Sequence, residues 1–220
     1  MQALPTRRYP EEVGASRTPE EIVVAFPRPP DALGAATRVR STLLVSSLQS
    51  LRRRGRENDY LALLPAEHHR TVLTLVAGAW IPMPLAEAHY LACQGLGFQR
   101  SELLAIGREV GDRIEGSVLA TMVRMAGSVG ATPWTALAQI GRLYGRIFDG
   151  GGGVSVARRG PKDARVRFTG MPLVHIPYYR GAMAGVVEIG LQLFCTKAYV
   201  TDVPGTHEGK ANIAMDLAWA

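Results

Sequence analysis

Residues 150–169 read GGGGVSVARRGPKDARVRFT, and the fold class turns on them. Four consecutive glycines stop any helix that reaches them, because glycine loses the most backbone entropy on entering one. Beyond them the apolar period changes. Val154 and Val156, then Val166 and Phe168, alternate as half-buried strands do, and Gly160-Pro161-Lys162-Asp163 makes the turn between them. From Tyr178 to Phe194 the helical period returns, with Tyr179, Met183, Val186, Val187, Gly190, Leu191 and Phe194 on one side. Gly181, Ala182, Ala184 and Gly185 give this helix a surface of small residues that allows close approach to a sheet. Ala198 and Val200, then Ile213, Met215, Leu217 and Trp219, alternate again around a turn at Pro204-Gly205.

Working back from the glycines, the chain reads as helices. Leu43, Leu44, Ser47, Leu48 and Leu51 form an apolar stripe that ends at Gly55, after an arginine knot whose charge complements the helix macrodipole. A second helix spans about Glu57 to Leu64 and stops at Pro65; a third spans about Ala66 to Ala77. Trp80-Ile-Pro-Met-Pro reads as a turn, since two prolines and the residues before them resist helix. Pro84 opens a helix over about Leu85 to Gly95, and Ser101-Glu caps one running through about Ile114. Another helix is expected from about Gly116 to Ala126. Thr132-Pro-Trp is an N-cap with proline at the first helical position, starting a single helix to about Phe148. The sum is an α+β fold, a helical N-terminal half packed on a small antiparallel sheet with a strand–strand–helix–strand–strand C-terminal half.

Residues 1–36 read as an extended arm, with Pro5, Pro10, Pro19, Pro27, Pro29 and Pro30. Its short apolar run, Ile22 to Phe26, is suited to an edge strand or to a partner. Residues 37–220 form one domain.

Composition narrows the function classes. The 220 residues are 47% hydrophobic and 20% charged, the balance of a globular protein that buries enough surface to need no disulfide or metal. Two cysteines, Cys93 and Cys195, both in apolar runs, exclude a disulfide framework and suit a reducing cytoplasm. Residues 1–22 lack the apolar core of a secretory signal, and no apolar stretch approaches the roughly 20 residues of a membrane span. A soluble cytoplasmic protein is expected. The net charge of +6 favours an acidic partner. Two basic knots stand out, Arg52, Arg53, Arg54 and Arg56, and Arg158, Arg159 and Lys162. Without a nucleic-acid-binding motif they read as solvated turns, the first a candidate protein-partner surface, and nucleic acid is not expected.

No catalytic constellation is visible. Gly-x-Ser-x-Gly, His-Glu-x-x-His and a Walker loop are all missing, and the Gly150–Gly153 run, lacking a following Lys-Ser/Thr, reads as a hinge rather than a phosphate cradle. The chain is not expected to be an enzyme.

The order of elements, together with LRRRGRENDYLALL, AWIPMPLAEAHYLACQGLGF and SELLAIGREVGDRIEG, resembles the haem nitric-oxide-binding and vinyl-reductase-like ligand-binding superfamily, which also includes subunits of vesicle-tethering complexes. The likeness runs over about residues 38–219. Within that superfamily the chain is most similar to a paralogous family expanded in myxobacteria, sharing an IGR-type helix, a proline before the terminal helix and a closing strand ending in Trp219. The resemblance implies ligand sensing or assembly. Haem-binding members use a proximal His on the helix that here starts at Trp134, where Tyr144 stands instead, and a Tyr-x-Ser-x-Arg motif where this chain has His175-Ile-Pro-Tyr-Tyr-Arg180. Vinyl-reductase-like members carry cysteines on the final hairpin, where this chain has His207 and Glu208. The resemblance therefore implies no haem, no metal site and no other cofactor here.

An apolar cavity between helices and sheet is the remaining candidate site. Trp80, Tyr90, Trp134, Tyr144 and Tyr179 are the candidate ligand-binding residues, with His89 as a polar group, and a filled core is the competing reading. The expected function is a non-enzymatic sensor or adaptor that binds an apolar small molecule or a protein partner, a homodimer included. The alternative is an assembly subunit without a ligand that docks through its N-terminal arm.

Overall fold

The computed structural model describes residues 20–114, 130–206 and 211–220. The expected helix at about Gly116 to Ala126 lies outside the described residues, as do His207 and Glu208.

Among the described residues, eight strands form two sheets. β1 (Glu21–Val24), β5 (Gly153–Gly160), β6 (Asp163–Thr169), β7 (Ala198–Asp202) and β8 (Ile213–Trp219) make a five-stranded sheet in the order β1-β5-β6-β8-β7, and β2 (Arg38–Arg40), β3 (Trp80–Pro82) and β4 (Phe148–Asp149) make a three-stranded one in the order β3-β2-β4. Every pairing is antiparallel. The helices are α1 (Ser41–Arg53), α2 (Glu57–Leu63), α3 (Ala66–Leu73), α4 (Met83–Gln94), α5 (Arg100–Ile114), α6 (Pro133–Leu137), α7 (Ile140–Ile147) and α8 (Pro177–Gln192). This is the expected α+β class, and the apolar run at Ile22, suited to an edge strand, supplies β1 at the edge of the larger sheet.

The alternation in the hairpin sequence sets the sheet's two faces. Val154, Phe168 and Ile213 stand in one row across β5, β6 and β8, and Val156, Val166 and Met215 in the next. All six are buried, on the face turned to the core. On the other face Arg165 donates two bonds to Asp216, at 2.7 and 2.8 Å, and Arg159 donates a third at 2.8 Å. Arg167 reaches Glu20 at 2.5 Å.

Residues 20–36, which their prolines assign to an arm, are part of this architecture. Ile22 pairs with Ala157 at the sheet edge. Gly152 donates to the carbonyl of Gly34 at 2.6 Å, Ala36 donates to that of Gly170 at 2.8 Å, and Ala36 is buried. The Gly150–Gly153 run is thus a packed crossing rather than a hinge. At Gly152, with φ +75°, a Cβ would run into the Tyr144 hydroxyl and approach the Thr169 carbonyl at 2.8 Å.

Three local expectations change. Trp80-Ile-Pro pairs with β2 as a strand, the two chain segments meeting only in the folded molecule. The third helix stops at Leu73 because Thr74 bonds back to the Arg70 carbonyl and Ser41 holds the following loop, accepting from Ala79 and donating to the Val76 carbonyl. The expected helix from Thr132 to Phe148 is two short helices, α6 and α7, separated at Ala138–Gln139.

α5 and α8 cross at close quarters. Gly107 of α5 and Gly185 of α8 meet there, and a Cβ added at Gly107 would run into the Ala182 carbonyl oxygen and lie 2.9 Å from the Gly185 Cα. The small-residue surface of α8 is therefore turned to a helix, and Glu188, one turn on, pairs with Arg108 at 2.7 Å.

Candidate functional site

The apolar stripe of α8 faces a cavity of about 190 Å³. Tyr179, Met183, Val186, Val187, Gly190, Leu191 and Phe194, the side of the terminal helix marked by its period, all line it. The other walls follow the same helical logic of i and i+4 neighbours: Leu43 and Ser47 from α1, Ile106 and Val110 from α5, Ile140 and Tyr144 from α7. Tyr90 of α4 and Phe168 of β6 also line it.

Of the six residues expected at the site, Tyr90, Tyr144 and Tyr179 line the cavity and Trp80, His89 and Trp134 do not. Trp80 sits on the three-stranded sheet beneath Arg40, whose guanidinium carbon is 3.9 Å from the ring centroid. Trp134 packs edge-on to Trp219 at 4.9 Å, lies under Arg158 and donates its indole N–H to the Pro161 carbonyl at 2.9 Å. His89 precedes Tyr90 on α4, and adjacent helical positions face different directions. Its Nδ1 is 2.8 Å from the Tyr60 hydroxyl and its Nε2 3.6 Å from the Cys93 sulfur. Burial pushes this imidazole down to about 3, so it is neutral. Among the described residues, two hydroxyl-bearing liners were not among the expected site residues, Ser47 and Tyr178. Ser47 carried a signal, being the one polar member of the apolar stripe of α1.

The walls are uncharged. Burial raises the phenols of Tyr90, Tyr178 and Tyr179 well above their ordinary value and that of Tyr144 to about 12. Among the described residues, none with a charged side chain lines the cavity.

The arginine knot lies elsewhere, and its charges are engaged within the chain. Arg54 binds Glu109 through both terminal nitrogens, at 3.0 and 2.6 Å, and Arg53 joins them. Arg52 pairs with Glu57 and Arg56 with Asp59, both at 2.7 Å, and Arg56 also lies over Phe98. The Arg54 bond holds the Glu109 carboxyl down to about 2, against burial, with help from Ser50 and Arg53. The knot clamps α1 to α5 and α2.

No family model matches the chain, and no curated protein matches it. Solved structures do. One, from work on modulating haem redox potential through protein-induced porphyrin distortion, aligns with a TM-score of 0.53 at 12% identity, over 82% of this chain and 99% of its own. A singly substituted Tt H-NOX domain aligns with a TM-score of 0.54 at 12% identity, and a doubly substituted one with 0.52 at 10%, each over 82% of this chain and 94% of its own. The chain shares the fold of these haem-NO-binding domains.

That fold raises the question of haem, and the described residues do not fit it. Haem iron is held by an imidazole, thiolate or phenolate, or by a thioether beside an imidazole. No histidine or cysteine is among the described residues that line the cavity. Tyr144 is held as the neutral phenol, its hydroxyl directed to the Gly151 carbonyl at 3.4 Å. Arginine and lysine, which would pair with the propionates, are equally missing from those walls. Among the described residues there is also no group of three or more His, Cys, Asp or Glu placed to hold a metal ion, and no helix is long and apolar enough to cross a membrane.

Proposed function

We propose that this chain is a non-enzymatic sensor or adaptor module that binds a small apolar molecule between α8, α7 and the sheet. The cavity carries the reading. Its volume of about 190 Å³ lies in walls contributed almost wholly by aliphatic side chains and phenol rings. An apolar cavity of about 150 Å³ binds benzene, so this one suits a single ring or a short chain rather than a macrocycle. The neutral tyrosines supply shape and little reactivity, which favours binding over catalysis. Two free cysteines without a disulfide suit the cytoplasm.

Native mass spectrometry of the purified protein tests the proposal, since it reads bound mass and stoichiometry together. Gly190→Leu is the control. Among the described residues a Cβ there meets no atom within 4 Å, and the position lines the cavity, so the larger side chain occupies the ligand's space. Native protein should bind small apolar compounds such as toluene with a rise in Tm, and Gly190→Leu should not. Failure of every such compound to bind would refute the reading.

A second reading, contact with a protein partner or a second copy, rests on α2 and α4. Leu63 and Leu91 are about half exposed there and flank a shallow groove floored by Ala88 and Ala92 and bounded by Pro65 and Pro84.

A further inference from the structure

The otherwise apolar lining of the cavity includes a pair of hydroxyls. Ser47 of α1 and Tyr178, in the first turn of α8, both line it, and their hydroxyl oxygens are 3.4 Å apart. Both residues are almost wholly buried, at 2% and 1% exposure. Hydroxyl pairs usually bond at about 2.7–2.8 Å, so this contact is long. The two groups hold two protons and four lone pairs; their other partner is the Cys93 thiol, a weak one, so lone pairs on both oxygens are left for a ligand.

What stands behind the pair is neutral. Cys93 lies beside both hydroxyls, its thiol driven up to about 12 by burial despite them. The Tyr60–His89 contact continues the network away from the cavity. The nearby cation, Arg54, is occupied by Glu109. An ionic ligand would therefore leave water without a counter-charge, at a cost far above that of an unpaired hydroxyl. An oxygen on an uncharged ligand can instead use the lone pairs left on the two hydroxyls, and a ligand lacking one leaves them with a long mutual contact and a weak thiol partner.

Resting on the ligand-binding reading above, we propose that the ligand is an uncharged compact molecule with one hydroxyl or carbonyl oxygen on its apolar body. Ser47 and Tyr178 are the specificity-determining residues that hold this oxygen.

Calorimetric titration of the full chain with toluene, phenol and benzoate separates the possibilities, because the three share one ring and differ in the group it carries. Phenol should bind at least as tightly as toluene, although it gives up more hydration, and benzoate should not bind. Ser47→Ala and Tyr178→Phe should each weaken phenol about fivefold and leave toluene unchanged or tighter. The two variants act on different helices, so agreement between them excludes a local folding defect. Toluene binding well ahead of phenol, with both variants silent, would overturn the role of the hydroxyl pair while leaving the apolar cavity in place. Tight benzoate binding would overturn the uncharged ligand. Binding of none of the three would overturn the ligand-binding reading itself.

Discussion

Replacing Gly107 by alanine should destabilise the protein, and replacing Gly190 by alanine should stabilise it. The chemical change is the same and both positions are helical, on α5 and α8. A Cβ at Gly107 meets backbone, running into the Ala182 carbonyl oxygen and lying 2.8 Å from its carbon and 2.9 Å from the Gly185 Cα. Carbon atoms pack at about 3.5–4.0 Å, so the helices must part by about 1 Å, and no side-chain rotation relieves the clash. Overpacking costs about 1–3 kcal/mol, and a backbone-on-backbone clash belongs near the upper end. Alanine's better helix propensity returns about 1 kcal/mol. The net loss is about 2 kcal/mol. At Gly190 the Cβ meets no described atom within 4 Å, so only the propensity gain of up to about 1 kcal/mol applies. Urea unfolding reads the pair as midpoint shifts of opposite sign at unchanged slope. Equal shifts, or a stable Gly107→Ala protein, would show that α5 and α8 do not meet backbone to backbone.

Other positions give independent checks. Trp219 is 8% exposed and packs on Trp134, so Trp219→Ala should cost about 3 kcal/mol in urea unfolding, the low end for a core aromatic because it is the last residue of β8; a loss below about 1 kcal/mol would place the ring on the surface. Deleting residues 20–36 should lower the urea midpoint, because it strips β1 from β5 and leaves Arg167 without Glu20, whereas an unchanged midpoint would start the domain at Thr37. Acid should weaken the fold through His89: its pKa falls from 6.5 unfolded to about 3 folded, so the unfolded chain takes up the proton first and stability is lost as pH falls between those values, by at most about 1.4 kcal/mol per pH unit. Urea midpoints measured between pH 6.5 and 4.5 should fall in the native protein and flatten in His89→Gln.

Much of the fold was legible because single segments carried it. The alternation of Val154, Val156, Val166 and Phe168 needs only the pleat of a strand, and all four are buried where that pattern puts them. The stripe from Tyr179 to Phe194 marked one wall of the cavity for the same reason, since a period reports one face of one element. What it cannot report is the element opposite. Trp80 and Trp134 are large and aromatic, yet each packs beside an arginine outside the cavity, a placement set by pairing between distant segments. β3 was hidden likewise, because its partner, β2, lies far off in sequence. Tyr178 went unseen at the site because Tyr179 beside it fitted the stripe, yet both residues line the cavity.

The three-stranded sheet has a consequence for the order of folding. Arg38 and Asp149, paired across β2 and β4, are 111 residues apart, and Glu20 and Arg167 are 147 apart. During synthesis α1 to α5 emerge first, and β2 finds β4 only after Phe148 and Asp149 have been made. Loop closure over such spans is slow compared with helix formation, so docking of preformed helices onto a late sheet is the expected rate-limiting step. Variants in β2 or β4 should then slow refolding, and variants in α2 should mainly speed unfolding.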